Sequence, residues 1–184
     1  TYPFECSEQI ASRMMSIAAL KDVLTAFKAE GLPKPAVLVA SVAADLQRLR
    51  GMQADDGGFA FWRRDQETWP FLTVHVAHAL IRAKEKGFDV PQDMIDRTLY
   101  YMRDIRSHMN KEWYTEATKR SIESYALYVR ARVGDVDGKR AAKILDEEGG
   151  AEKASHELVG WLYPVFMKPQ DQCNHGAIRH HLNN

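Results

Sequence analysis

The sequence predicts an all-α protein of about seven helices in antiparallel pairs. Three observations predict it. Apolar residues recur at helical spacing in one segment after another, the joints between segments are short and marked by glycine or proline, and no stretch makes a convincing strand. The first segment, 8–30, places Ile10, Met14, Ile17, Ala18, Leu24 and Phe27 on a helical period and stops at Gly31. Pro33 and Pro35 mark a joint before a second helix over 36–52, rich in Ala, Val and Leu. The run QADDGGFAFW breaks the pattern at Gly57 and Gly58 and reads as a loop or short extended piece. A third helix covers 71–86 and ends at Gly87. Pro91 sits in the first turn of a fourth, which runs to 106. A fifth spans 116–133 and ends at Gly134. A short sixth lies between the glycines of GDVDGKRAAKILDEEGG, and a seventh covers 152–166 with Pro164 in its last turn. Short joints make neighbouring helices antiparallel. Helix pairs joined by Gly-rich turns suggest a stacked or closed αα array, although no clean internal repeat is visible.

The chain's 184 residues amount to about one domain, and its 45% apolar content is enough for a core. Lys plus Arg number 25, as do Asp plus Glu, so the formal charge is zero and neither a nucleic-acid nor a membrane-surface partner is expected. No run is long and apolar enough to span a bilayer, and no secretory signal is seen. The chain starts at Thr1, and its end, GAIRHHLNN, reads as the beginning of a further helix, so a piece of a longer protein is expected. Two cysteines, Cys6 and Cys173, do not make a disulfide framework and leave the redox compartment open.

The opening run TYPFECSEQIASRM puts Cys6 three residues before Gln9 at the start of the first helix. Positions three apart lie on one side of a helical turn. Unpaired backbone N–H groups and the positive end of the helix dipole favour a thiolate there, and polarise a nearby carboxamide. A thiolate attacking the Gln9 carboxamide would expel ammonia and leave an internal thioester. Glu8 would shuttle the proton that ammonia needs, and the acyl group would then be primed for an amine or a hydroxyl. Spacing alone does not decide the matter, because C-x-x-Q also arises by chance as a half-buried cysteine and an ordinary helix glutamine.

The surrounding residues carry more. YPFECSEQ closely resembles the thioester signature of the α2-macroglobulin and complement family, a C-x-E-Q core after a Tyr-Pro-aromatic segment. LQRLRGMQADDGGFAFW and ETWPFLTVHVAHALIRAKEKGFDVP resemble the next part of that family's thioester domain, in order, and are nearest to bacterial members. The resemblance implies an α/α toroid of paired inner and outer helices, of which residues 1–184 would be the N-terminal part, truncated at the C-terminal end. It implies that Cys6 and Gln9 form the thioester, assisted by Glu8. It also implies a single-turnover protease trap, not an enzyme in the turnover sense. The expected partners are attacking proteases, through their amines, and other domains of the same parent chain; no cofactor is expected. The expected location is extracytoplasmic and periplasmic, on a membrane-anchored parent. A half-toroid is expected to self-associate through helix faces meant for absent neighbours.

One departure from the family is Glu5, where glycine more often precedes the cysteine, and its side chain bears on the geometry of the turn. Another concerns the downstream histidine that in some complement members activates hydroxyl transfer. His108, in RSHMNKEWYTE, is the nearest candidate but falls early, and the better-aligned positions from Tyr114 to Arg120 hold no histidine. Its plain reading is a solvated loop histidine. Direct attack by amines, lysines above all, is then the expected mode.

His75 and His78 sit three apart on the third helix and read as interior or rim residues; without H-E-x-x-H or a third ligand they do not make a metal site. Cys173, His175, His180 and His181 fit no zinc module. No metal is therefore expected. Tyr2, Phe4, Trp62 and Trp69 read either as core aromatics or as an apolar cover that keeps the thioester from water. Two alternatives remain at this point. MQADDGGFAFW also resembles the Gln-to-Trp repeats of terpenoid cyclases, which share the toroid, but its adjacent Asp55 and Asp56 lie in the turn and read as turn chemistry. The other is a helical binding module in which Cys6 never reacts.

Overall fold

Local sequence sets each helix boundary. The computed structural model of the chain describes residues 5–27 and 33–167. Helix α1 spans Ser7–Phe27, α2 Pro35–Met52, α3 Pro70–Glu85 and α4 Gln92–Arg103. A short 3-10 helix, Ile105–His108, precedes α5 (Glu116–Arg132), α6 (Gly138–Glu147) and α7 (His156–Phe166). Both α2 and α3 begin on a proline, whose missing N–H costs nothing in the first turn. Side-chain oxygens start the later helices. Thr115 accepts from the Thr118 N–H of α5, Asp137 from Arg140 of α6 and Ser155 from Leu158 of α7.

Pro91 precedes α4, which starts at Gln92, instead of sitting in its first turn, and residues 28–30 of the first predicted helix lie outside the described residues. Two further boundaries differ by several residues from the sequence reading. The fourth helix stops at Arg103, because Asp104 leaves helical geometry and its carbonyl accepts from both the N–H and the hydroxyl of Ser107. The seventh begins at His156. The Lys153 and Ala154 N–H groups turn back onto the Gly150 carbonyl, and Ser155 then supplies the cap. Among the described residues the only β pairing is the isolated bridge between Gln53 and Phe59, within the run read as a loop. No described helix is long and apolar enough to cross a membrane.

The chain divides into two compact units between Arg103 and Asp104. In the first, α1 packs on α2 and α3, and α3 packs on α4. Helix α3 is buried nearly all round, through residues such as Leu72, Val76, Ala79, Leu80 and Ala83, because it lies between α1 and α4. Ile10, Ala11, Met14 and Ala18 give the buried stripe of α1. In the second unit, α5, α6 and α7 close around Leu127, Ile144, Leu158, Leu162 and Phe166.

Candidate functional site

Cys6 occupies the cap position just before α1, and its carbonyl accepts the first helical bond, from the Ile10 N–H at 3.1 Å. Gln9, at the third helical position, folds back so that its Oε1 accepts from the Cys6 N–H at 3.2 Å. This is half of a capping box, with cysteine where serine or threonine usually stands. It brings the carboxamide carbonyl to the residue that carries the thiol, with a donor on the oxygen. Cys6 is a free, half-buried cysteine, while Gln9 is exposed.

The start of α1 is pinned by the loop after α2. The Ser7 N–H donates to the Phe61 carbonyl at 2.8 Å, and its hydroxyl to the Ala60 carbonyl at 2.8 Å. That loop is itself tied inward on several sides. The buried Gln53 side chain donates to the carbonyls of Gly57 and Met94, each at 3.1 Å. The Phe59 N–H donates to the Thr73 hydroxyl at 2.9 Å. Asp56 accepts from the Gly58 N–H and from the Thr68 hydroxyl, both at 2.9 Å, and Asp55 pairs with Arg64 at the surface. The two aspartates thus do turn and surface work. The Gln-to-Trp stretch acts as a bracket between α2, α3, α4 and the first turn of α1.

Glu5 anchors the approach to Cys6 from the other side. Its buried carboxylate pairs with Arg13 of α1 and Arg48 of α2. Arg13 also binds Asp45, through Nε at 3.0 Å and Nη2 at 2.5 Å. Hydrogen bonds from Arg13, then from Arg48, hold the Glu5 carboxyl down to about 2 despite its burial. Sequence reasoning took Glu5 for a disturbance of the turn and missed Arg13, Asp45 and Arg48. One signal was available: Asp45 sits in the apolar stripe of α2, between Val42 and Leu46, and a buried carboxylate needs a cation.

A third cluster lies on the α1–α3 contact. The Ser12 hydroxyl donates to Glu8 Oε1 at 2.7 Å and lies 3.0 Å from His75 Nε2. Burial pushes the His75 pKa below its ordinary value, against the pull of Glu8. The stacked ring of Phe71 lies 6.5 Å from the imidazole, centroid to centroid. Glu8 and His75 are therefore brought together, and no group of His, Cys, Asp and Glu among the described residues is arranged to hold a metal.

Of the aromatic residues read as a cover, Trp62 and Trp69 are 54% and 37% exposed. Both rings lie against Phe61, with centroids 5.4 and 5.9 Å away, beside the carbonyl that binds Ser7. Tyr2 and Phe4 lie outside the described residues, as do Cys173, His175, His180 and His181. His108 ends the 3-10 helix of the second unit.

No protein-family model matches the chain. It is 38% identical over 141 residues to the α2-macroglobulin of Escherichia coli K12, an alignment covering 71% of this chain and 8% of that protein. Its full length superposes on trypsin-activated α2-macroglobulin from E. coli with a TM-score of 0.78 and 28% identity, covering 13% of that chain. It superposes equally fully on Salmonella α2-macroglobulin reacted with methylamine, with a TM-score of 0.77 and 27% identity, covering 12% of that chain. The all-helical architecture, with sequence neighbours packed as pairs, is that of an α/α toroid domain. Sequence and fold together show that the chain belongs to the α2-macroglobulin family.

Proposed function

We propose that this chain carries the thioester of a bacterial protease trap, formed between Cys6 and Gln9. The observation that supports the reading most directly is the Gln9 carbonyl held on the Cys6 N–H at 3.2 Å, within C-x-E-Q. A hydrogen bond to a carbonyl oxygen draws electrons from its carbon, and the same donor stabilises the oxyanion that forms on attack. The Cys6 sulfur bonds to the Gln9 Cδ, the Cδ–N bond breaks, and the thiol proton travels by Glu8 to the departing ammonia. An amine then attacks Cδ, the C–S bond breaks, and the glutamine side chain ends as an amide on the amine while Cys6 leaves as thiolate. Each molecule acts once.

In the trap, a protease cuts a bait segment elsewhere in the parent protein. The thioester is uncovered and acylates a lysine of the attacker. Relatives activated by trypsin and reacted with methylamine support a protease trigger and an amine acceptor. Amine attack needs no histidine on the acyl group, in keeping with the absence of one from Tyr114 to Arg120. The parent acts outside the cytoplasm, in the periplasm on a membrane anchor, where foreign proteases are met. Other domains of the same parent complete the cover over Trp62 and Trp69. The test is Cys6→Ala in the full-length protein challenged with trypsin. A trypsin adduct that survives boiling in detergent should form with the unaltered protein and vanish in C6A, with helical content retained. Capture that survives C6A overturns the assignment.

A further inference from the structure

Glu8, the acid of C-x-E-Q, is held from two sides. Ser12 lies one turn along α1 and donates to Glu8 Oε1 at 2.7 Å. The Ser12 oxygen is 3.0 Å from His75 Nε2 on α3, and Nε2 is 3.8 Å from Glu8 Oε1. A hydroxyl has one proton to give, and an ionised carboxylate only accepts. Ser12 therefore gives its proton to Glu8 and accepts from His75, which puts the hydrogen of the neutral imidazole on Nε2. Burial favours that neutral form, and the Phe71 ring lies nearly parallel to the imidazole, 6.5 Å from it centroid to centroid. The hydrogen bonds run one way, from His75 Nε2–H to Ser12 Oγ and from Ser12 Oγ–H to Glu8 Oε1. A half-exposed glutamate on a helix would otherwise sample several rotamers; the link to α3 removes that freedom.

We propose that Ser12 and His75 are positioning residues for acyl transfer, fixing the Glu8 carboxylate as the acceptor of the proton that leaves the attacking amine. The inference rests on the thioester reading of Cys6 and Gln9. In that step the amine nitrogen bonds to Gln9 Cδ, and the Cδ–Sγ bond breaks with its electron pair going to sulfur. The surplus amine proton passes to Glu8 and then to water. In this step Glu8 takes the proton, and Ser12 and His75 act through it.

The test measures the rate at which methylamine frees the Cys6 thiol in the full-length protein, after intact mass has shown ammonia loss. Ser12→Ala and His75→Phe should each slow the reaction roughly tenfold to a hundredfold, the scale of a misplaced catalytic group. His75→Gln keeps an N–H donor toward Ser12 and should retain most of the rate. In a Glu8→Gln background, Ser12→Ala should slow the reaction no further, because the positioned group is already gone. Unchanged rates in S12A and H75F overturn the proposal, as does an equal further loss from S12A on top of E8Q. If H75F does not fold, S12A and its E8Q cycle decide. Wild-type protein that has lost no ammonia overturns the thioester reading, and the positioning role falls with it.

Discussion

Glu5 acts at the residue scale through two arginines. Its carboxyl sits at about 2 in the folded chain, against an ordinary value of 4.5, because Arg13 and Arg48 donate to it. A depressed folded pKa contributes stability that is complete above the ordinary value and lost as pH falls through the folded one. The Glu5 cluster should therefore loosen between about pH 4.5 and 2. Glu5→Gln should flatten the loss of stability across that window in urea melts followed by circular dichroism; an acid limb equal to wild type would contradict the role. His75 obeys the same sign, since burial lowers its pKa. Its share of stability is complete above 6.5 and declines as pH drops through its lowered value, and H75Q should remove that part. The nearness of Gln9 to Cys6 was legible in the sequence because C-x-E-Q is contiguous and local. Its supports were not. Arg13 meets Asp45 across 32 positions, Arg48 meets Glu5 across 43 and Ser12 meets His75 across 63. Ion pairs and hydrogen bonds between elements leave no period in the chain.

Among the elements, the turn after α2 leads into the carbonyls that hold the start of α1 through Ser7. Gly57 has a positive φ of 90°, and a Cβ there would lie 2.2 Å from the Arg97 carbonyl oxygen. A Cβ on Gly58 would meet the Tyr101 ring at 2.5 Å. Gly57→Ala should cost about 3 kcal/mol from backbone strain and the clash with α4. Asp56→Ala should cost about 1 kcal/mol from the lost bonds to Gly58 and Thr68. Chemical denaturation of both variants checks the order, and a Gly57→Ala protein as stable as wild type would contradict it. The sequence marks this turn clearly through its glycines and aspartates. It does not show that the following carbonyls of Ala60 and Phe61 reach back to Ser7, since loop destinations are set by packing. Helix existence was likewise plain from apolar spacing. The ends moved where local competing bonds took over, at Asp104 and at Gly150 to Ser155.

At the scale of the molecule, two all-helical units carry the fold, and the thiol sits at the first turn of the first. Family membership was readable because three separate stretches, YPFECSEQ, the Gly-Gly-Phe turn and the Thr-Trp helix start, occur in order. Those stretches serve distinct physical ends: the capped start of α1, a bracket and a buried helix. The chain spans about 8% of the length of its E. coli relative, so the proposed capture of a protease is tested on the whole protein. The proposed trap turns on one bond, and the intact mass of the undamaged full-length protein tests for it directly. A closed Cys6–Gln9 thioester predicts a mass about 17 Da below that of the sequence, for the ammonia lost, with no titratable thiol at Cys6 until methylamine is added. C6A should carry the full sequence mass. A wild-type protein at its full sequence mass, with Cys6 titrating freely, would contradict the account.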